Sequence, residues 1–136
     1  MTKVTIDALV AATPETAWSC WTDPAHITGW NFASDDWCCP WAKSDLRLGG
    51  AYSARMEAKD GSFGFEFGGK YEELETGKVI GLRMDDGRLA RTTFAAEKGG
   101  VRVTTVFDAE DENPVEMQQE GWQSILNSFK SYAESR

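Results

Sequence analysis

The sequence predicts an α+β fold in which a curved antiparallel sheet of about six to seven strands wraps one long C-terminal helix. Three observations predict it. Between Val4 and Phe107, successive segments alternate apolar and polar residues with a period of two and are separated by glycine turns. The apolar parity recurs from segment to segment, so the sheet has one greasy face and needs cover on one side only. Near the C-terminus, Trp122, Ile125, Leu126, Phe129, Tyr132 and Ala133 fall on one stripe at helical spacing, which supplies that cover.

Each element has its own local signal. Val4, Ile6, Ala8 and Val10 mark a first strand. Thr13 followed by Pro14 is a helix start: a side-chain cap, then proline at the first helical position. Ala17, Trp18 and Trp21 share one face of this short helix. Asp23–Pro24 repeats the signal, and a second short helix is expected to end near Gly29.

Residues 31–44 show no period. They carry Phe32, Trp37 and Trp41 among Asp35, Asp36, Cys38, Cys39 and Pro40, and predict a long loop. Such a loop is either a lid over a site or an Ω-like segment pinned by its aromatics.

From Leu46 the chain reads as a meander, with Gly49–Gly50 marking a bend. Tyr52, Ala54, Met56 and Ala58 face one way before the Asp60–Gly61 turn. Phe63, Phe65, Phe67 and Tyr71 share the next apolar parity. Ile80, Leu82 and Met84 follow, then Ala90, Thr92 and Phe94, then Val101, Val103, Thr105 and Phe107. For the terminal helix, Asn113 is the expected cap, Pro114 the first helical residue and Glu116 the capping-box partner. Gly121, inside that helix, is expected to admit close approach of a strand or a ligand. No linker or repeat interrupts the chain, so residues 1–136 read as one domain.

Composition narrows the function. The net charge of −8 repels phosphate backbones and anionic bilayer surfaces, so neither nucleic acid nor membrane is an expected partner. The N-terminal stretch alternates and lacks the apolar block of a signal peptide, and a cytoplasmic location is expected. Three cysteines, Cys20, Cys38 and Cys39, form no disulfide framework. A metal site on Cys38, Cys39 and His26 lacks paired ligand spacing, so no metal or cofactor is expected. Six tryptophans and seven phenylalanines exceed what a minimal core needs. Large aromatics fill cores, and they also line small-molecule sites.

Four segments resemble one family. Trp18 to Trp30 is similar to its W-x-x-W-T-D-P-x-x-I-x-x-W opening, and Asp45-Leu46-Arg47-Leu48-Gly49-Gly50 to its D-L-R-x-G-G turn. Phe67 to Tyr71 resembles its F-x-G-x-Y strand. Gly121-Trp122 with Ile125-Leu126 resembles its G-W-x-x-I-L helix. The family is that of the stand-alone bacterial homologues of the activator of heat shock protein 90 ATPase, within the SRPBCC (START-like, birch-pollen-allergen-like) superfamily. The resemblance implies a helix-grip fold with a cavity between sheet and long helix. Superfamily members hold lipids, sterols, polyketides or plant hormones there, and some catalyse cyclisation or hydrolysis. The eukaryotic namesake stimulates a chaperone's ATPase using an additional N-terminal domain, for which these residues offer no counterpart.

The candidate site follows from both readings. Phe65, Phe67, Met84, Phe94, Trp122, Ile125 and Phe129 are expected to form the wall of an apolar pocket, and Trp30, Phe32 and Trp37 its mouth. Thr92 and Thr105 point inward and offer hydroxyls to a ligand, or are ordinary strand residues. The expected partner is a small hydrophobic or aromatic molecule. The alternatives are a cyclase or hydrolase using His26 or the Asp35–Asp36 pair, and a chaperone-binding module. A homodimer is compatible with the sequence. No nucleophile elbow, phosphate loop or metal-ligand helix is present, so no reaction is assigned.

Overall fold

The computed structural model describes every residue from Met1 to Arg136. Strand β1 (Lys3–Val10) leads into α1 (Pro14–Thr22) and α2 (Pro24–Ile27). Strands β2 (Trp37–Ser44), β3 (Ala51–Ala58), β4 (Gly64–Glu75), β5 (Val79–Met84), β6 (Leu89–Glu97) and β7 (Gly100–Asp108) follow, and α3 (Val115–Glu134) closes the chain. The seven strands form one antiparallel sheet in the order β1-β7-β6-β5-β4-β3-β2.

The short helices start where the proline signals place them. The Thr13 hydroxyl accepts the Thr16 N–H, and the Asp23 carboxylate accepts the Ala25 N–H. Both caps satisfy amide groups that the first helical turn leaves unpaired.

Residues 37–44 are a strand, not part of a loop. Trp37 and Cys38 pair with Ala58 and Glu57, the register then slips, and Trp41 resumes opposite Arg55. The slip across Cys39–Pro40 breaks the period of two and hides the strand from a periodicity reading. Proline, which cannot donate to a ladder, is tolerated because β2 lies at the sheet edge.

The start of α3 also differs from expectation. The helix begins at Val115, Pro114 occupies the cap position and no side chain caps it. Glu110 and Gln118 instead tie down the segment that leads into the helix. The Glu110 carboxylate accepts the Asn113 and Glu112 N–H groups. Gln118 is buried; it accepts the Glu110 N–H and donates to the Glu110 and Asn113 carbonyls. Nothing approaches Gly121, since a Cβ there would meet open space.

Antiparallel register sets the inward residues in rows across the strands. One row runs Ile80, Thr92, Thr105, Ile6. The next runs Tyr71, Leu82, Ala90, Phe107, Val4. A third runs Tyr52, Gly69, Met84 and then Arg88, whose carbonyl accepts the Met84 N–H. On the other side of the first row, Phe94, Val103 and Ala8 lie opposite one another. Val10, Val101, Val103, Phe107, Leu126 and Phe129 are almost fully buried and form the densest part of the core. Helix α3 lies against β1, where Gln123 donates to the Asp7 carbonyl and Glu134 accepts the Ala11 N–H. The outer sheet face carries exposed pairs such as Arg83–Glu72 and Arg91–Glu73, which water screens.

Candidate functional site

Sheet and α3 do not meet everywhere. Between them lies a cleft of about 300 Å³, lined by 18 residues of which 14 are hydrophobic. The first two rows supply its floor through Ile6, Ile80, Thr92, Thr105, Tyr71, Leu82 and Ala90. Trp122, Ile125 and Leu126 of α3 form the roof. Trp21 of α1 and Trp30, just after α2, stack with ring centroids 5.1 Å apart and stand edge-on to Phe129. They seal one end beyond the first row, where Phe94 also sits edge-on to Trp21.

The opposite end is open. The β3–β4 hairpin projects past the β5–β6 turn and carries Met56, Phe65 and Phe67 beyond the third row. Exposure of the lining rises in that direction. Trp30 is 4% exposed, whereas Phe65 is 40% exposed.

Few polar atoms face the space. The Thr92 and Thr105 hydroxyls, 2.7 Å apart, satisfy each other in the floor. The Tyr71 hydroxyl bonds Ser44 at 2.6 Å. The Tyr52 hydroxyl bonds nothing in the protein. Burial, with a smaller contribution from the nearby Tyr71, pushes the Tyr52 phenol well above its usual range. Burial also raises Tyr71, partly offset by its bond to Ser44. Both phenols therefore stay protonated at neutral pH and act as neutral donors. Arg88 is the single charged residue of the lining. Chemically, this arrangement can bury an apolar body and orient it by a few hydrogen bonds.

The predicted site residues divide. Trp30, Phe65, Phe67, Thr92, Trp122 and Ile125 come together around the cleft, with Thr105 beside Thr92. Met84, Phe94 and Phe129 are instead buried in the core and do not border the cleft. The expected mouth is also corrected. Trp30 is at the sealed end. Trp37 packs on Phe63 and Phe65 outside the cleft. Phe32 and Asp35 line a separate shallow groove on the outer side of α3 with Ser124 and Asn127.

None of the three candidate acid–base groups reaches the cleft. His26 Nδ1 lies 2.8 Å from the Tyr132 hydroxyl, on the other side of the sealing helices. Asp35 faces the shallow groove, and Asp36 is exposed and clasps Lys59 through its backbone carbonyl. The Cys39 sulfur sits against Asn31 and the Trp41 carbonyl, away from His26.

The other lining residues were not expected: Trp21, Asn31, Tyr52, Met56 and Arg88, and with them Ile6, Tyr71, Ile80, Leu82, Ala90 and Leu126, which the sequence placed on the apolar faces but not at a site. A signal for Arg88 was present. It shares the parity of Ala90 and Thr92, one step before them on the same strand path.

A curled antiparallel sheet gripping a C-terminal helix, with a cleft between them, defines a helix-grip domain of the SRPBCC type. Residues 11–134 match the family described as Activator of Hsp90 ATPase homolog 1-like protein, and the chain belongs to that family. Its structure is similar to the solution structure of an AHSA1-like protein from Aeromonas hydrophila, with 42% identity and a TM-score of 0.93 over 98% of this chain and 93% of that one. A protein from Cytophaga hutchinsonii is 44% identical, with a TM-score of 0.83 over 98% and 92% of the two chains. The crystal structure of a protein from Chromobacterium violaceum gives 26% identity and a TM-score of 0.85 over 98% and 99%. No curated protein matches the chain. No helix is long and apolar enough to cross a membrane.

Proposed function

We propose that this protein binds a small hydrophobic or aromatic molecule in the cleft between the sheet and α3. One observation carries the reading: a space of about 300 Å³ with a lining of 14 hydrophobic residues out of 18 persists beside a core that is otherwise closely packed. Protein interiors normally leave few voids larger than a water molecule, and small-molecule sites begin at roughly 300 Å³. A sheet that needed only a cover could have been filled by a larger residue at Ala90. Family membership supports the same reading, since the fold is one that suggests ligand binding.

The test is titration with a neutral apolar fluorophore, N-phenyl-1-naphthylamine. It gains emission and quenches the tryptophans, because Trp21, Trp30 and Trp122 all line the space. Phe67→Ala and Trp122→Ala each weaken binding by about tenfold, the loss expected when an aromatic anchor is truncated. Absence of binding by any apolar probe rejects the proposal.

One observation favours a second reading, docking on a chaperone. Trp37, Phe63 and Phe65 form an aromatic cluster at the hairpin tip, with Phe63 63% exposed. Recovery of a chaperone by the wild type but not by Phe63→Ser supports it; recovery of none counts against it.

A further inference from the structure

The ligand's chemistry can be narrowed, on the condition that the cleft binds one at all. Arg88 stands in an awkward place for a cation. It continues the inward parity of β6, so its side chain enters the apolar space and is only 16% exposed. Neither Asp nor Glu, Lys nor His lines the cleft with it. A charge beside apolar walls is costly unless it is paired.

The pairing present is incomplete. Arg88 Nε donates to the Asp86 carboxylate at 2.8 Å, and Nη1 donates to the Asp108 carbonyl at 3.3 Å. Asp86 itself is about half exposed, so water screens its partner charge. The guanidinium has five N–H donors, and the two on Nη2 bond no protein atom. Its position matters as much as its valence. Arg88 lies in the third row, at the open end, separated along that row by Met84 and Gly69 from Tyr52, whose hydroxyl is likewise free of protein partners.

We infer that the ligand is an amphiphile with one carboxylate: its apolar body lies between the first two rows and α3, and Arg88 at the mouth receives the carboxylate. The polarity of the lining dictates this orientation. The sealed end offers tryptophan rings, a self-satisfied threonine pair and the neutral amide of Asn31, and the open end offers the one charge. A planar fork of N–H donors suits a carboxylate, and a charge-assisted hydrogen bond is roughly twice as strong as a neutral one. The acidic surface of the whole chain slows arrival of an anion but does not remove the local match.

The experiment compares two probes of equal shape, 1-naphthylacetate and 1-naphthylacetamide, by equilibrium dialysis at pH 7. The wild type binds the acid about tenfold more tightly than the amide, a ratio set by the charged hydrogen bond. Arg88→Gln brings the ratio to about one, and Arg88→Lys restores part of it. Asp86→Asn removes the carboxylate charge that competes for the guanidinium and raises the ratio, a check that stands even if Arg88→Gln fails to fold. If the amide binds as tightly as the acid, or Asp86→Asn leaves the ratio unchanged, Arg88 is only a clamp for the β5–β6 turn and the inference is overturned while the binding proposal survives. If neither probe nor the neutral fluorophore binds, both fall.

Discussion

Trp122 lies flat on Phe107, with ring centroids 4.0 Å apart and planes 8° from parallel. Phe107 is completely buried on β7, next to the β1 edge strand, and Trp122 projects from α3. The stack is thus the pillar beside the cleft: it holds the helix at the height of two aromatic rings above the strands. Phe67 meets the other side of Trp122 edge-on at 6.2 Å.

That contact predicts a stability effect separate from binding. Trp122→Ala removes most of the pillar and destabilises the fold by about 3 kcal/mol, within the usual range for truncating a packed aromatic. Trp122→Phe keeps a ring over Phe107 and costs about 1 kcal/mol. Urea unfolding followed by far-UV circular dichroism measures both. Equal stability of Trp122→Ala and wild type would mean that α3 is held by its other contacts alone.

The Thr92–Thr105 pair predicts non-additivity. Thr92→Val leaves the buried Thr105 hydroxyl without its partner and costs about 1–3 kcal/mol, the penalty for an unsatisfied buried group. The double variant Thr92→Val/Thr105→Val removes both hydroxyls and regains most of the loss. A double-mutant cycle from denaturant midpoints decides it; strictly additive losses would show that the hydroxyls do not act as a pair.

Gly121 is predicted to be replaceable. A Cβ at this position meets nothing within 4 Å, so Gly121→Ala gains helix propensity without a clash and stabilises by about 1 kcal/mol. A raised melting temperature with unchanged probe binding is the expected outcome. A drop in stability would reveal a neighbour that the monomer does not contain.

Asp108 contributes to the acid limb of stability. It accepts hydrogen bonds from Lys3 Nζ at 2.6 Å and from the Leu89 N–H at 3.0 Å, and these hold its carboxyl below the usual aspartate range. A carboxyl whose folded pKa is depressed stabilises above its unfolded value, near pH 4, and loses that contribution as pH falls through the folded value. Asp108→Asn therefore shows a shallower loss of stability below about pH 4 than the wild type. An unchanged acid limb in denaturant titrations assigns it to other carboxylates.

Much of the fold was legible because its signals are local. Thr13–Pro14 and Asp23–Pro24 start helices whatever surrounds them, and the parity of Phe65, Phe67, Thr92, Trp122 and Ile125 suffices to aim them inward. Strand β2 was illegible because a bulge shifts its parity midway, and an edge strand has only one partner to enforce its register. The α3 start was misread because Pro114 takes the cap position itself, and the Asn113 backbone is tied to Glu110 and Gln118, residues not adjacent to it, in a folded-back segment.

From its residues alone this chain specifies a one-faced antiparallel sheet and an amphipathic helix to cover it, because periodicity and capping depend on neighbours along the chain. Which inward residues meet solid packing and which border open space is settled only in three dimensions. Met84, Phe94 and Thr92 share the same inward sense, yet only Thr92 lines the cleft. The difference is cross-strand register and the height at which Trp122 on Phe107 sets the helix, distances between residues far apart in sequence. The same register puts Arg88 at the open end, a cation among apolar walls that parity could point inward but could not place.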